Sequence, residues 1–245
     1  MRVVAFSGSP NMENGNTALI LRPFLDGLID GGAAVELFHT RKLDIQPCQG
    51  DFNCWRKIPG HCFQQDDMQM VHTKLRASDV WVMATPVYVW GVAGPLKNLM
   101  DRLMPLIEPF ITLRDGHCSH PLRAGTPVAK LVLVSSCGFW EMDNFDPLLL
   151  QMRTLARTVG LDFAGALLRP HAPAFRMMLE ANAPVRDVLD AAHAAGQQLA
   201  TTGAISPETL HAISRPVVPM DEFRHFFNEQ FRQELDHLDK DMVHA

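Results

Sequence analysis

Val80-Trp81-Val82-Met83-Ala84 is apolar at every position and only five residues long. A strand that reads this way has no wet face, which is the condition of a central strand in a parallel sheet covered by helices on both sides. Val128–Val134 is read as a second strand of the same kind, and Arg2–Phe6, Ala34–Phe38 and Leu161–Leu168 complete a set of five. Between them the apolar residues recur at helical spacing: Thr17–Asp30, stopped by Gly31-Gly32, then Asp66–Ala77, Gly94–Met104, Pro147–Val159 and Val185–Ala200. Asp66 and Asp67 are expected in the first turn of their helix, where the dipole favours carboxylates. Strands alternating with helices predict an α/β chain built on a doubly wound five-stranded parallel sheet, with helices on both faces and ligands beyond the carboxyl ends of the strands. Residues 1–204 are assigned to this domain and 205–245 to a C-terminal helical extension. There Phe223, Phe226, Phe227 and Phe231 fall near helical spacing, for packing on the core or on a partner subunit.

Composition narrows the partners. The chain has 245 residues and a formal net charge of −5 with mixed signs, so it is long enough for a full core and carries no basic stripe for nucleic acid. No apolar run approaches the roughly 20 residues of a membrane-spanning helix. Met1-Arg2-Val3-Val4 enters a strand without the apolar core of a signal peptide, and a cytoplasmic protein is expected. Five cysteines are an odd number, which argues against a secreted disulfide framework. Neither Gly-x-Ser-x-Gly nor His-Glu-x-x-His occurs, so a hydrolase is a poor fit.

Three loops fall at the carboxyl ends of the predicted strands. The first, Ser7-Gly8-Ser9-Pro10 followed by Gly15-Asn16-Thr17, offers small hydroxyls, glycines and a helix N-terminus, a setting that suits a phosphate. The bland alternative is an ordinary N-capped helix. Gly-Lys-Ser/Thr and Gly-x-Gly-x-x-Gly are both missing, which points to a ligand that is held and not hydrolysed. The second loop is Thr85-Pro86-Val87-Tyr88-Val89-Trp90-Gly91, ahead of a helix opened by Pro95. The third is Ser135-Ser136-Cys137-Gly138-Phe139-Trp140. Tyr88, Trp90, Phe139 and Trp140 supply flat apolar surface that can stack on an aromatic ring, while Gly91 and Gly138 allow close backbone approach. The alternative is that these aromatics cover the ends of the sheet.

Gly8-Ser9-Pro10 with Gly15-Asn16-Thr17, Asp66-Asp67-Met68, Thr85-Pro86-Val87-Tyr88, Gly94-Pro95-Leu96-Lys97-Asn98 and Asp101-Arg102 together resemble the NADPH-dependent FMN reductase family. Within that family the resemblance is to flavodoxin-fold iron–sulfur flavoproteins and their cluster-free relatives, over roughly residues 1–170. It implies a flavodoxin-like fold, FMN bound non-covalently, dimers or tetramers, and two-electron transfer from NADPH or NADH to a small acceptor. Carried over by position, Ser9, Asn16 and Thr17 would hold the FMN phosphate, with Ser7, Asn14 and Gly15 lining the same loop. Pro86, Val87, Tyr88, Val89, Trp90 and Gly91 would lie along the isoalloxazine, and Ser136, Cys137, Gly138 and Phe139 would reach its other edge. Two departures stand out: Asn11, where relatives often carry arginine, and Trp90, where a smaller or polar residue is expected.

Cys48, Cys54 and Cys62 occupy the segment in which iron–sulfur relatives pack four cysteines for a cluster. Asp51 stands where relatives commonly place another. The set reads as free thiols near the flavin, with a zinc or cluster site completed by Asp51 or His61, or a redox disulfide, as the alternatives. Asp101-Arg102 and Asp115-Gly116-His117 read as solvated charge and turn chemistry. Residues 105–125 form a loop of little regular pattern, expected to cap the flavin of its own or a neighbouring subunit. The expected function is an FMN-dependent NAD(P)H oxidoreductase whose acceptor is a quinone, flavin, nitro- or azo-aromatic, with Tyr88, Trp90 and Phe139 walling the acceptor pocket and no side chain named as catalytic. An iron–sulfur or metal-containing electron-transfer flavoprotein and a non-catalytic FMN-binding sensor are the other readings.

Overall fold

In the computed structural model, which describes residues 1–243, strands and helices alternate from the first residues onward. The chain runs β1 (Arg2–Ser7), α1 (Asn16–Asp30), β2 (Ala34–His39), a short α2 (Asn53–Arg56) and α3 (Met68–Arg76). It continues through β3 (Val80–Pro86), α4 (Gly94–Asp101), β4 (Thr112–Arg114), β5 (His117–Ser119) and β6 (Lys130–Ser136). Then come α5 (Asp146–Val159), β7 (Asp162–Arg169), α6 (Ala172–Glu180), α7 (Asp187–Thr202), α8 (Pro207–Ser214) and α9 (Met220–Val243). The main sheet is five-stranded in the order β2-β1-β3-β6-β7, and every pairing is parallel. Counting only its own strands this is the 2-1-3-4-5 order of the flavodoxin-like fold.

Period-two alternation explains the unbroken apolar strands. In β3, Trp81 and Met83 join Val4, Phe6, Leu131 and Leu133 in a core under Leu75, Leu96, Leu148 and Met152. Val80, Val82 and Ala84 face the other way, with Val3, Ala5, Val132 and Val134, against Phe24, Leu28, Ala192 and Leu199. Both faces are dry, so no position of the strand is left for a polar side chain. On the second face α1 and α7 come to backbone contact. A Cβ on Gly27 would lie 1.9 Å from the His193 carbonyl oxygen, and one on Gly196 would lie 2.1 Å from that of Phe24.

Several sequence expectations shift. β6 begins at Lys130 and not Val128: Val128 is exposed, and the Lys130 ammonium pairs with Asp162 at 2.6 Å. α3 starts at Met68, which leaves Asp66 outside its first turn and free for another role. Arg102, read as solvated, is instead buried. Its guanidinium meets the Asp66 carboxylate at 2.7 and 3.0 Å and donates to the Gln46 carbonyl at 2.6 Å, with both charged side chains only 1% exposed. The 105–125 segment is not patternless. β4 and β5 pair antiparallel through Asp115-Gly116, both at positive φ (50° and 75°), the geometry of a two-residue hairpin turn.

Candidate functional site

β1 ends at Ser7, and the Gly8 N–H donates to the Ala84 carbonyl of β3 at 2.7 Å. The chain then folds into one turn of 3-10 helix, Met12–Asn14, before α1. The first residue of α1 follows Gly15, which makes no side-chain cap bond. The Ala18 N–H bonds the Gly15 carbonyl at 3.1 Å, and no side chain caps the Asn16 and Thr17 N–H groups at the positive end of the dipole. Ser7, Ser9 and Thr17 are buried around that end. A Cβ on Gly15 would fall 2.3 Å from Ser9 Oγ, so only glycine leaves the hydroxyl in place. Thr17 Oγ1 and Ser136 Oγ are hydrogen-bonded at 2.8 Å, which ties the first loop to the third.

The second loop is held at its base, where the Ala93 N–H donates to Thr85 Oγ1 at 3.0 Å and the Val87 N–H to the Ser136 carbonyl at 2.8 Å. Its tip is a tight turn in which Tyr88 and Gly91 exchange two 3.0 Å backbone hydrogen bonds. Val89 and Trp90 between them sit at φ 48° and 57°, left-handed conformations that cost non-glycine residues on the order of 1–3 kcal/mol each. Val89 is 90% exposed at the tip. No packing accounts for a β-branched residue there, and such strain clusters at ligand sites.

The third loop is pinned to the end of β7. The Cys137 N–H donates to the Arg169 carbonyl (3.0 Å) and the His171 N–H to the Phe139 carbonyl (2.7 Å). Burial pushes the Cys137 thiol pKa up, so this residue offers its backbone and not a thiolate. The second and third loops bound a cleft of about 250 Å³ lined by Val87, Val89, Trp90, Cys137, Gly138, Phe139 and Asn144. Trp90 Nε1 donates to Asn144 Oδ1 across it at 3.3 Å. Tyr88 is exposed beside the cleft and outside its lining. Trp140 is not a free platform: its ring stacks on His171 at 5.8 Å and its indole donates to the Val218 carbonyl at 2.9 Å. A second, larger cleft of about 600 Å³ shares Gly138 and Phe139 and is walled by Trp140 and by Phe223, Phe227 and Phe231 of α9.

Sequence reasoning missed several residues here. Arg41 donates to the Pro10 carbonyl at 2.7 Å, and Arg176 of α6 reaches Asn14 and Asn16. Asn144 closes the ring cleft. Arg169 and His171, both fully buried, anchor the C-terminal segment. Arg169 donates to the carbonyls of Ile213 (2.8 Å) and Arg215 (2.7 Å), and His171 Nε2 accepts from the Val217 N–H at 3.1 Å. Burial and the adjacent Arg169 cation hold the His171 pKa at about 4. None of these carries a local motif; each depends on residues distant in the chain.

Cys48, Cys54 and Cys62 share a cavity of about 120 Å³ with Asp51 and Arg102, and all five cysteines are free thiols. Asp51 is occupied by the backbone and side-chain N–H groups of Asn53 (3.0 and 2.6 Å), and Cys62 Sγ accepts from Arg102 at 3.3 Å. Burial and the neighbouring Cys62 push the Cys54 pKa up. Among the described residues no three His, Cys, Asp or Glu side chains converge as metal ligands do. A cluster needing four thiolates does not fit this donor set.

The sequence profile of the NADPH-dependent FMN reductase family matches residues 1–137, and the chain belongs to that family. An iron–sulfur flavoprotein of Methanocaldococcus jannaschii is 37% identical over 106 residues, 43% of this chain and 53% of that protein. One from Archaeoglobus fulgidus is 34% identical over 102 residues, 42% of this chain and 48% of that protein. The chain thus spans about half the length of the curated relatives it matches. Among solved structures, an NAD(P)H:quinone oxidoreductase from Methanothermobacter marburgensis superposes with TM-score 0.57 at 17% identity, over 81% of this chain and 96% of that one. An FMN-dependent NADH-azoreductase from Bacillus anthracis gives TM-score 0.56 at 12% identity, over 83% and 99%. At these identities the two structures speak for the fold.

Proposed function

We propose that this protein is an FMN-dependent oxidoreductase that takes electrons from NADPH or NADH and delivers them to a small aromatic acceptor such as a quinone, a flavin, or a nitro- or azo-aromatic. The observation that carries the reading is the open, hydroxyl-lined N-terminus of α1 standing next to a cleft walled by Trp90 and Phe139. One end suits a phosphate and the other a flat ring. FMN, when bound, supplies the two-electron chemistry, accepting a hydride from the nicotinamide and passing electrons on.

The chain's own part is binding and placement. Ser9, Asn16, Thr17 and the leading N–H groups of α1 hold the phosphate, with Ser7, Asn14 and Gly15 shaping the loop. Pro86–Gly91 lies along the ring, and Ser136–Phe139 brings backbone groups to its polar edge. Of the acceptor-pocket walls expected from the sequence only Phe139 is kept: the larger cleft between Phe139 and α9, which Tyr88 and Trp90 do not line, is assigned to the acceptor. Its volume lies in the 300–1,000 Å³ range usual for small-molecule sites, and its aromatic walls favour a planar molecule. The exposed apolar face of α9, with Phe226 and Phe231, supports a homo-oligomer. Arg114 of the β4–β5 hairpin lies against Gly160, where α5 ends and β7 begins, at the opposite end of the sheet from the three loops, so the capping role is assigned to the hairpin over the flavin of a neighbouring subunit. A cytoplasmic location is part of the same reading.

The test is anaerobic addition of NADPH, and separately NADH, to the FMN-loaded protein, followed by a panel of acceptors. Bleaching of the flavin bands and multiple turnovers with an aromatic acceptor are the expected results. Oxidation that stops at one equivalent per bound flavin across the whole panel would make the protein a holding module instead.

A further inference from the structure

The first loop, residues 8–15, carries no basic residue of its own, and α1 contributes none to its N-terminus. The structure brings a guanidinium there from the far end of the chain. Arg176 lies on α6, beyond the 1–137 stretch that defines the family. Its Nε donates to Asn16 Oδ1 at 2.6 Å and its Nη2 to the Asn14 carbonyl at 2.9 Å. Its Nη1 lies 3.9 Å from Glu180 on the next turn of α6. Nε and Nη2 are thus both spent on the protein, while Nη1 lies beyond hydrogen-bond distance of Glu180.

Its effect runs through Asn16. A guanidinium can only donate, so it can face only the oxygen of an amide. With Oδ1 engaged, the Asn16 amide is fixed in one of its two orientations. The group left for a ligand is the NH2, two donors and no acceptor. An unheld asparagine presents either end to a phosphate, and the oxygen end repels it. The bond to a cation also polarises the amide and strengthens its N–H groups as donors. The second bond, to the Asn14 carbonyl, fixes the backbone that leads into Gly15.

We infer that Arg176 is a positioning residue that orients the Asn16 amide to donate to the phosphate of the bound cofactor. The inference rests on the FMN reading above. It also makes the protein selective for the phosphorylated flavin, because the oriented donors have no partner in riboflavin.

The experiment compares FMN and riboflavin affinities, by quenching of flavin fluorescence, for the wild type, Arg176→Gln, Arg176→Lys, Asn16→Ala and the Arg176→Gln/Asn16→Ala double variant. Arg176→Gln is expected to weaken FMN roughly tenfold, the scale of one charge-assisted hydrogen bond, and to leave riboflavin as it is in the wild type. Lysine, which cannot meet both acceptors in fixed geometry, is expected to fall between. In the Asn16→Ala background the Arg176→Gln effect should vanish. An unchanged ratio of FMN to riboflavin affinity, or full additivity of the two substitutions, overturns the inference while leaving the FMN reading intact. A wild type that binds no FMN overturns both.

Discussion

His72 and His171 are buried and neutral, and each holds its segment in place by a hydrogen bond to the main chain. His72 Nε2 meets the Arg102 carbonyl at 2.7 Å, and burial depresses its pKa to about 4, as it does for His171. Both lie below the ordinary value of 6.5. Between those values the unfolded chain binds more protons than the folded one, so stability falls as pH drops from about 6.5 to about 4 and levels off beneath that. Asp66 acts in the same direction at lower pH. Burial alone would raise its pKa, but the Arg102 donors and the Gln46 and Met68 N–H groups hold it down, and its contribution is lost as pH falls through that lowered value. Each histidine contributes up to about 3 kcal/mol to the pH dependence. Urea unfolding at pH 7 and pH 4.5 should show a marked drop in midpoint for the wild type. His72→Gln, which keeps an N–H for the Arg102 carbonyl, should show a smaller one. Equal drops in both proteins would contradict the assignment. Ser9, Gly15 and Thr17 were legible in the sequence because hydroxyls and glycines at a strand-to-helix turn act within a few residues of one another. Arg102 misled for the opposite reason: Asp66, which buries it, lies 36 positions away, and no local pattern distinguishes a solvated arginine from a paired one.

At the scale of elements, the alternation of strands and helices was legible because two-sided burial leaves an unmistakable apolar run. Boundaries slipped where charge or caps decide them, as at Lys130 and Met68. The Asp115-Gly116 hairpin had its signal in the sequence, but its strands are three residues each and mostly exposed, so no alternation flagged them. α6 escaped notice although Pro173 near its first turn is a recognised start signal. The α1–α7 contact shows what spacing alone does not convey. Gly27 and Gly196 look like helix-weakening residues, and they are what lets the two backbones touch. Gly196→Ala would force a Cβ to 2.1 Å from the Phe24 carbonyl oxygen and 2.6 Å from the Leu28 nitrogen. Despite the gain in helix propensity it should destabilise by about 1–3 kcal/mol or more, measured as a lower denaturant midpoint with the slope unchanged. A neutral or stabilising substitution would mean the helices separate without cost.

Across the whole molecule, the 2-1-3-4-5 sheet order does the assembling. β1, β3 and β6 are neighbours, so the loops that follow them meet although the sequence holds them about eighty and fifty residues apart. That convergence could be anticipated from topology alone. The C-terminal third could not: Arg169, His171, Arg176 and the aromatic face of α9 are placed by contacts with residues distant in the chain. The proposed activity requires that these loops together hold FMN. Equilibrium titration of the flavin-free protein with FMN, followed by flavin fluorescence, tests it directly. One FMN bound per chain, with binding lost in Gly15→Ala because the new methyl displaces the Ser9 hydroxyl, is the expected result. No binding by the wild type, or binding of equal strength in Gly15→Ala, would contradict it.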